Sequence, residues 1–405
     1  MVHVKTAAIQ TGYGRLVFIR QERISIMLFR KRFEVKMEIV VAVVMSLVLA
    51  GSIFADERFK QWDANSDGKL TRNELPSRLR GNFSKVDVNG DSVISLAEHK
   101  KFIGRGKQAG RRPSPRVPDN VILKKDVFYA GNKNARQSLD LILPKKRAGD
   151  KPLPLLVFIH GGGWRNGSKT SGLGRVMPYL QTGKFVGATI GYRLSGEAKW
   201  PAQIHDCKAA IRWLRGHDKK YGFDGDQITV WGTSAGGHLV AMLGVSGDVK
   251  DLEGKIGSHL DQSSRVTNVI NFFGPSELLT MNDFPSKMNH NAADSPESLL
   301  IGGAIQENKE KTRNASPITY VSKDDANILI MHGDKDPLVP HQQSVSFHAA
   351  LRKADVNSIF VTVAGGGHGF GGAQVDARLK AFLQKYALGQ DVVVSSEPIK
   401  VGAKR

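Results

Sequence analysis

Residues 228–239 read Ile228-Thr229-Val230-Trp231-Gly232-Thr233-Ser234-Ala235-Gly236-Gly237-His238-Leu239. A short β-branched and aromatic run ends at a Gly-x-Ser-x-Gly pattern, and an apolar helical segment through His238, Leu239 and Met242 opens directly after it. Passing from strand to helix within one or two residues brings neighbouring backbone into contact, so bulky groups at 232 and 236 would clash and glycine is required there. Ser234 is then expected at the tip of the bend in a strained conformation, with the amide end of the following helix facing any negative charge that develops beside it. The pattern is frequent by chance, and its weight comes from what surrounds it.

Residues 155–159, 185–190, 228–231, 269–273, 328–331 and 358–363 form short apolar runs separated by longer amphipathic stretches. Runs of this kind read as strands buried on both faces, and their alternation with helices implies a doubly wound, mostly parallel α/β sheet over residues 119–390. In such a sheet the site lies beyond the carboxyl ends of the strands. The informative motifs fall there. His160-Gly161-Gly162-Gly163-Trp164 follows the run 155–159, and its glycines free backbone N–H groups to point inward. Gly162, Gly163 and Ala235 are the expected donors to an oxyanion.

A serine hydroxyl is a poor nucleophile until a base removes its proton, and the base needs a carboxylate to orient it. Both occur downstream in order. His332-Gly333-Asp334-Lys335-Asp336-Pro337-Leu338-Val339-Pro340 follows one strand and offers two acids, and Gly367-His368-Gly369-Phe370 follows the last. His238, His332 and His341 compete for the role of base. His238 lies one helical turn below Ser234, His332 ends a strand and His341 follows the acid loop, so each reads as structural.

With these four motifs the region 120–390 resembles the esterase/lipase branch of the α/β hydrolases, similar to hormone-sensitive-lipase-like and bacterial acetylxylan or feruloyl esterases. The resemblance implies a catalytic set of Ser234, Asp336 and His368, choosing Asp336 over Asp334 because those families carry the acid five residues into the motif. It also implies hydrolysis of carboxylic esters without a catalytic cofactor. Between Asn120 and Leu155 there is room for two strands but not for a long helical cap, so an open site suited to short acyl groups, acetylated carbohydrate among them, is expected. Residues 275–316, polar and interrupted by Pro275, Pro285 and Pro296, are the expected substrate-shaping insertion.

Ahead of this region lie two calcium-loop patterns. Residues 63–74 match the EF-hand template at every ligand position, with Asp63, Asn65, Asp67, the Lys69 carbonyl, Thr71 and Glu74 as oxygen donors and Gly68 at the turn. Residues 87–98 repeat it with Asp87, Asn89, Asp91, the Val93 carbonyl, Ser95 and Glu98, but Ser92 replaces the glycine. A non-glycine there costs roughly 1 kcal/mol, so this loop should be the weaker site. Residues 56–103 thus resemble a compact EF-hand pair, also similar to dockerin calcium repeats, with 76–86 as a helix shared by both loops. Calcium is expected to have a structural role. Residues 104–118, rich in Gly, Pro and Arg, read as a linker.

The apolar segment 39–55 follows Arg30, Lys31, Arg32 and Lys36 and ends in small residues, the layout of a signal peptide. Residues 1–55 are therefore expected to direct export, with anchoring by an uncleaved segment as the alternative and no membrane span after cleavage. The chain of 405 residues has a formal charge of +20, but residues 1–118 hold 22 Lys and Arg against 11 Asp and Glu, so over half the excess precedes the α/β region. No nucleic-acid motif accompanies it. The single cysteine, Cys207, precludes an internal disulfide, and its neighbours His205 and Asp206 point about 100° apart on a helix and cannot act in series with it. Two other readings remain from the sequence. A prolyl-oligopeptidase-like peptidase shares the residue order but should have a large amino-terminal propeller, and a calcium-dependent binding protein with a degenerate hydrolase domain would not need Ser234, Asp336 and His368 intact. Residues 391–405 read as a tail.

Overall fold

Strands of alternating apolar residues can bury both faces only when helices cover each side, and the sheet obeys this. The computed structural model describes residues 59–109 and 117–400, in two compact units divided after Ser114. The segment 39–55 and residues 110–116 lie outside the described residues. Among the described residues no helix is long and apolar enough to cross a membrane.

The first unit holds two two-residue strands, β1 (Lys69–Leu70) and β2 (Ile94–Ser95), paired antiparallel with Leu70 opposite Ile94. Phe59, Leu70, Leu75, Val86 and Ile94 form its small core, with Trp62 and Phe83 packed against them. The segment 76–86, expected as one helix, is a 3-10 helix over Ser77–Asn82 followed by a single α turn, Phe83–Val86. Gly81 and Asn82 are weak helix formers, which accounts for the break. The helix after β2 runs Leu96–Ala109, past the expected start of the linker at 104. Once nucleated, a helix continues through an isolated glycine at a cost of about 1 kcal/mol.

The second unit is a nine-stranded sheet: β3 (Val121–Phe128), β4 (Ser138–Pro144), β5 (Leu153–Ile159), β6 (Val186–Ile190), β7 (Phe223–Thr233), β8 (Asn268–Phe272), β9 (Asn327–Gly333), β10 (Ser358–Ala364) and β11 (Ile399–Lys400). The spatial order is β11-β10-β9-β8-β7-β5-β6-β4-β3, antiparallel where β4 meets β3 and β6 and parallel elsewhere. This is the α/β-hydrolase fold. The segment beyond 391, expected as a tail, returns to add β11 to the edge of β10. Alternation divides the core. Leu155, Val157, Ile159, Ile328 and Ile330 face one apolar layer, and Leu156, Phe158, Leu329 and Met331 face the other.

Register brings the motifs together. In the β5–β7 pair Ile159 lies opposite Gly232, so the glycine-rich loop leaves β5 beside the turn that ends β7. Ser234 sits at that turn with φ 56° and ψ −125°, outside the ordinary regions for a residue with a side chain, and the helix Ala235–Val245 starts at the next residue. A Cβ on Gly232 would stand 2.1 Å from the Gly236 carbonyl oxygen, and one on Gly236 would stand 2.2 Å from that of Ile159. Both neighbours are backbone, which cannot yield cheaply. Gly236→Ala should therefore lower stability by about 1–3 kcal/mol, read from the urea midpoint. Gly174→Ala is the control, because it lies in a helix and its added methyl meets nothing within 4 Å. It should be neutral or stabilising.

Candidate active site

Ser234 Oγ lies 3.0 Å from His368 Nε2, and His368 Nδ1 lies 2.8 Å from Asp336 Oδ2. The serine comes from the turn after β7, the acid from the loop after β9 and the histidine from the loop after β10. The carboxylate side chain is fully buried and the imidazole is 18 % exposed. With Nδ1–H donating to Asp336, Nε2 is left with its lone pair toward the hydroxyl, the orientation needed to accept a proton. Phe273 packs its ring 4.7 Å from that of His368 and limits its swing.

Asp336 is held from four directions. Oδ1 accepts from the backbone N–H groups of Leu338 and Val339 at 2.8 and 3.0 Å, and Oδ2 accepts from His368 and from His332 Nε2 at 3.1 Å. Burial alone would push the carboxyl up, but the bonds from the two imidazoles and the loop amides outweigh it and hold it well below the usual carboxylate range. His332 was expected only as a strand-end residue. It fixes the acid, and in turn its Nδ1 faces Ser344 Oγ at 2.7 Å. The spacing of four residues between His332 and Asp336 was the available signal. Asp334, the rejected acid, accepts instead from the Gly365 N–H at 2.7 Å and braces the turn leading to His368.

The glycine loop packs hard on the serine turn. A Cβ on Gly161 would stand 2.5 Å from the Thr233 carbonyl oxygen, and Gly162 and Gly163 adopt φ of 113° and 58°. Gly162, Gly163, Ala235, Ser234 and His368 all line one cavity of about 580 Å³. Trp164 locks the loop from behind: its Nε1–H donates to His238 Nδ1 at 3.2 Å, and His238 Nε2 donates to the Ala315 carbonyl at 2.6 Å. Only a neutral His238 can accept from the indole, and burial lowers its pKa to about 4. His341 bonds Thr362 Oγ1 and Cys207 is wholly buried with its thiol pushed up by desolvation, so neither joins the site.

Known proteins with this architecture provide the comparison. The sequence profile of the BD-FAE family matches residues 139–351. The chain belongs to the BD-FAE family. Among curated proteins, esterase LipC of Mycobacterium tuberculosis is 31% identical over 287 residues, spanning 68% of this chain and 69% of that protein. Esterase LipQ of the same organism is 30% identical over 283 residues, 68% of this chain and 65% of that one. Among solved structures, a truncated carbohydrate esterase from gut microbiota is 35% identical with a TM-score of 0.61, covering 66% of this chain and 96% of that one. This BD-FAE member is accordingly an ester-bond hydrolase of the serine class.

The amino-terminal loops are arranged alike. Asp63 accepts from the N–H groups of Asp67 and Gly68 at 3.1 and 2.9 Å, as Asp87 does from Gly90 and Ser92 at 2.8 and 3.1 Å. Asn65 and Asn89 each accept from the N–H two residues on, at 3.1 Å. Glu74 folds back onto Thr71 and Glu98 onto Ser95, at 2.7 and 2.8 Å through the hydroxyls. Both carboxyls are lowered chiefly by the backbone N–H of that residue. Gly68 has φ 77° and Ser92 φ 68°, so the serine does take the conformation that glycine takes in the first loop. Among the described residues no three His, Cys, Asp or Glu side chains already converge as a metal cluster.

The carboxylate at 336 can be tested for orientation apart from packing. In Asp336→Asn one oxygen still accepts from the loop amides, but an NH2 group then faces both imidazoles and turns His368 to the wrong tautomer. Ester turnover should fall by about 10⁴-fold, and the thermal midpoint should drop as well because the NH2 group faces the buried His332 donor. A loss under tenfold in a folded variant would show that Asp336 does not orient the base.

Proposed function

We propose that Ser234, His368 and Asp336 are the catalytic set of this hydrolase. His368 Nε2 takes the proton of Ser234 Oγ as that oxygen bonds the acyl carbon, and the carbonyl oxygen becomes an alkoxide held by the N–H groups of Gly162, Gly163 and Ala235. The ester C–O bond then breaks and the alcohol departs with the proton from Nε2. Water attacks the acyl-enzyme by the reverse sequence, giving up its proton to Nε2, which returns one to Ser234. Asp336 stays ionised throughout and holds Nδ1–H. The continuous chain of contacts at 3.0 and 2.8 Å is the observation that carries this reading.

For substrates we propose short-acyl esters, with acetylated carbohydrate as the alcohol side. The carbohydrate esterase among the structural relatives and the absence of a long cap segment in the sequence between 120 and 155 support it. Export through the segment 39–55, with an uncleaved anchor as the alternative, suits an extracellular polymer. We propose further that residues 56–103 are an EF-hand pair that takes calcium through Asp63, Asn65, Asp67, Lys69, Thr71 and Glu74, and more weakly through Asp87, Asn89, Asp91, Val93, Ser95 and Glu98. The donors are all hard oxygens, and the matched geometry of the two loops supports the fit. The ion would stiffen the loops by drawing carboxylates together.

A panel of acetyl, butyryl, long-chain, feruloyl and acetylated-xylan esters tests the substrate reading. Acetyl esters should be turned over fastest, and a preference for feruloyl or long-chain esters would overturn it. Ser234→Ala should lose at least roughly 10⁴-fold in kcat. Retained turnover, or cleavage of proline peptides without ester turnover, refutes the catalytic assignment. Chelation should raise amide exchange in residues 59–109 while most ester turnover persists; unchanged exchange would rule out calcium binding there.

A further inference from the structure

The wall of the catalytic cavity contributed by residues 275–316 contains two charged or chargeable side chains that the catalytic steps do not use. His290 and Glu297 both line the cavity, and their side chains are only 1% and 4% exposed. His290 Nε2 donates to the Leu338 carbonyl at 3.0 Å, tying this wall to the loop that carries Asp336. Its other nitrogen, Nδ1, stands 3.1 Å from Glu297 Oε2. The angles there are not those of a hydrogen bond, so both buried atoms are left without an aligned partner.

That arrangement is costly. A buried carboxylate oxygen without an aligned donor forgoes its hydration, and an ion pair recovers this only with good geometry and its remaining lone pairs satisfied. Unsatisfied buried groups are rare and call for a cause. The location supplies one. Pro296 lies against the oxyanion loop, its Cβ 3.3 Å from where a Cβ on Gly163 would stand, so Glu297 flanks the place where an ester must bind. Leu338, Val339 and Met288 also line the cavity and contribute apolar side chains to it.

We propose that Glu297, positioned by His290, is a specificity-determining residue that accepts a hydrogen bond from a substrate hydroxyl, so that the site selects hydroxylated esters over hydroxyl-free ones of the same size. This rests on the ester-hydrolase reading of the same cavity and deepens it. A site built to bond a hydroxyl rejects the analogue lacking it, because the carboxylate is then buried with nothing to bond. The hydroxyl belongs either to the alcohol, as in an acetylated sugar, or to a hydroxyacyl chain.

The test measures kcat/KM in the full-length enzyme for matched pairs. One arm compares a monoacetylated methyl xyloside with tetrahydropyranyl acetate, and the other compares methyl 3-hydroxybutyrate with methyl butyrate. The unmodified enzyme should prefer the hydroxylated member of one pair by roughly 10–100-fold, and Glu297→Gln should shrink that preference at least about tenfold. The arm in which this occurs identifies the side of the ester that carries the hydroxyl. No preference in either arm of the unmodified enzyme overturns the proposal without any variant. An equal loss on all four esters in Glu297→Gln also overturns it, because it marks a structural role. Turnover of p-nitrophenyl acetate by the unmodified enzyme separates these outcomes from failure of the hydrolase reading, in which no ester would react. Should Glu297→Gln not fold, the same measurement on His290→Gln decides, with a preserved preference counting against the proposal.

Discussion

The structure depends on a gap with no room for a Cβ. At the end of β7 the chain turns into a helix within one residue, and a Cβ added at Gly232 or Gly236 would stand about 2 Å from a backbone oxygen, of Gly236 or of Ile159 at the end of β5. Ser234 takes φ 56° at that turn, at the carboxyl end of a central strand, and the glycine loop after β5 sits alongside. The candidate nucleophile and its candidate oxyanion donors thus arise from one steric requirement. Strain at the serine is sustained because the parallel sheet on either side, with Ser234 N–H bonded to the Phe272 carbonyl at 2.9 Å, over-determines the turn.

The second constraint is electrostatic and sits on Asp336. Four donors converge on one buried carboxylate, two from its own loop and two from imidazoles. A buried charge so satisfied is both ionised and immobile, and its immobility sets the tautomer and direction of His368. His332 reaches the acid from within β9, so the acid loop is referenced to the sheet and not merely to its own turn. The path from rigid strand to the Ser234 hydroxyl is then short: strand, His332, Asp336, His368, Ser234.

Most of this was legible in the sequence because it follows from sterics and period. Glycines at fixed offsets from a serine, apolar runs of strand length and a histidine after the last run each encode a local necessity, and β5 to β10 lie where those runs put them. What escaped was decided by distance in space. That Asp334 braces Gly365 and His332 binds the acid depends on how two loops cross, which spacing alone does not encode. The break between Ser77–Asn82 and Phe83–Val86 had a visible cause in Gly81 and Asn82 but was outweighed by the symmetry of the two loops around it. The two residues of β11 are too few to carry a period, and only pairing with β10 makes them a strand.

The region 275–316 illustrates the sharper limit. Its helices, Pro296–Ile301 and Lys309–Asn314, are six residues each, and its polar composition reads as an insertion without a pattern. Yet it brings His290 and Glu297 to the cavity and ties them to Leu338, two residues past the acid. The sheet and the serine turn are shared by enzymes of many specificities, since a fold fixes the chemistry it can support but not the molecule it receives. Discrimination must come from groups whose cost of burial is recovered only when the right partner is present. In this chain the sheet supplies rigidity and the catalytic loops supply reactivity, while a buried, poorly partnered carboxylate in an irregular segment is the feature whose energy depends on the substrate.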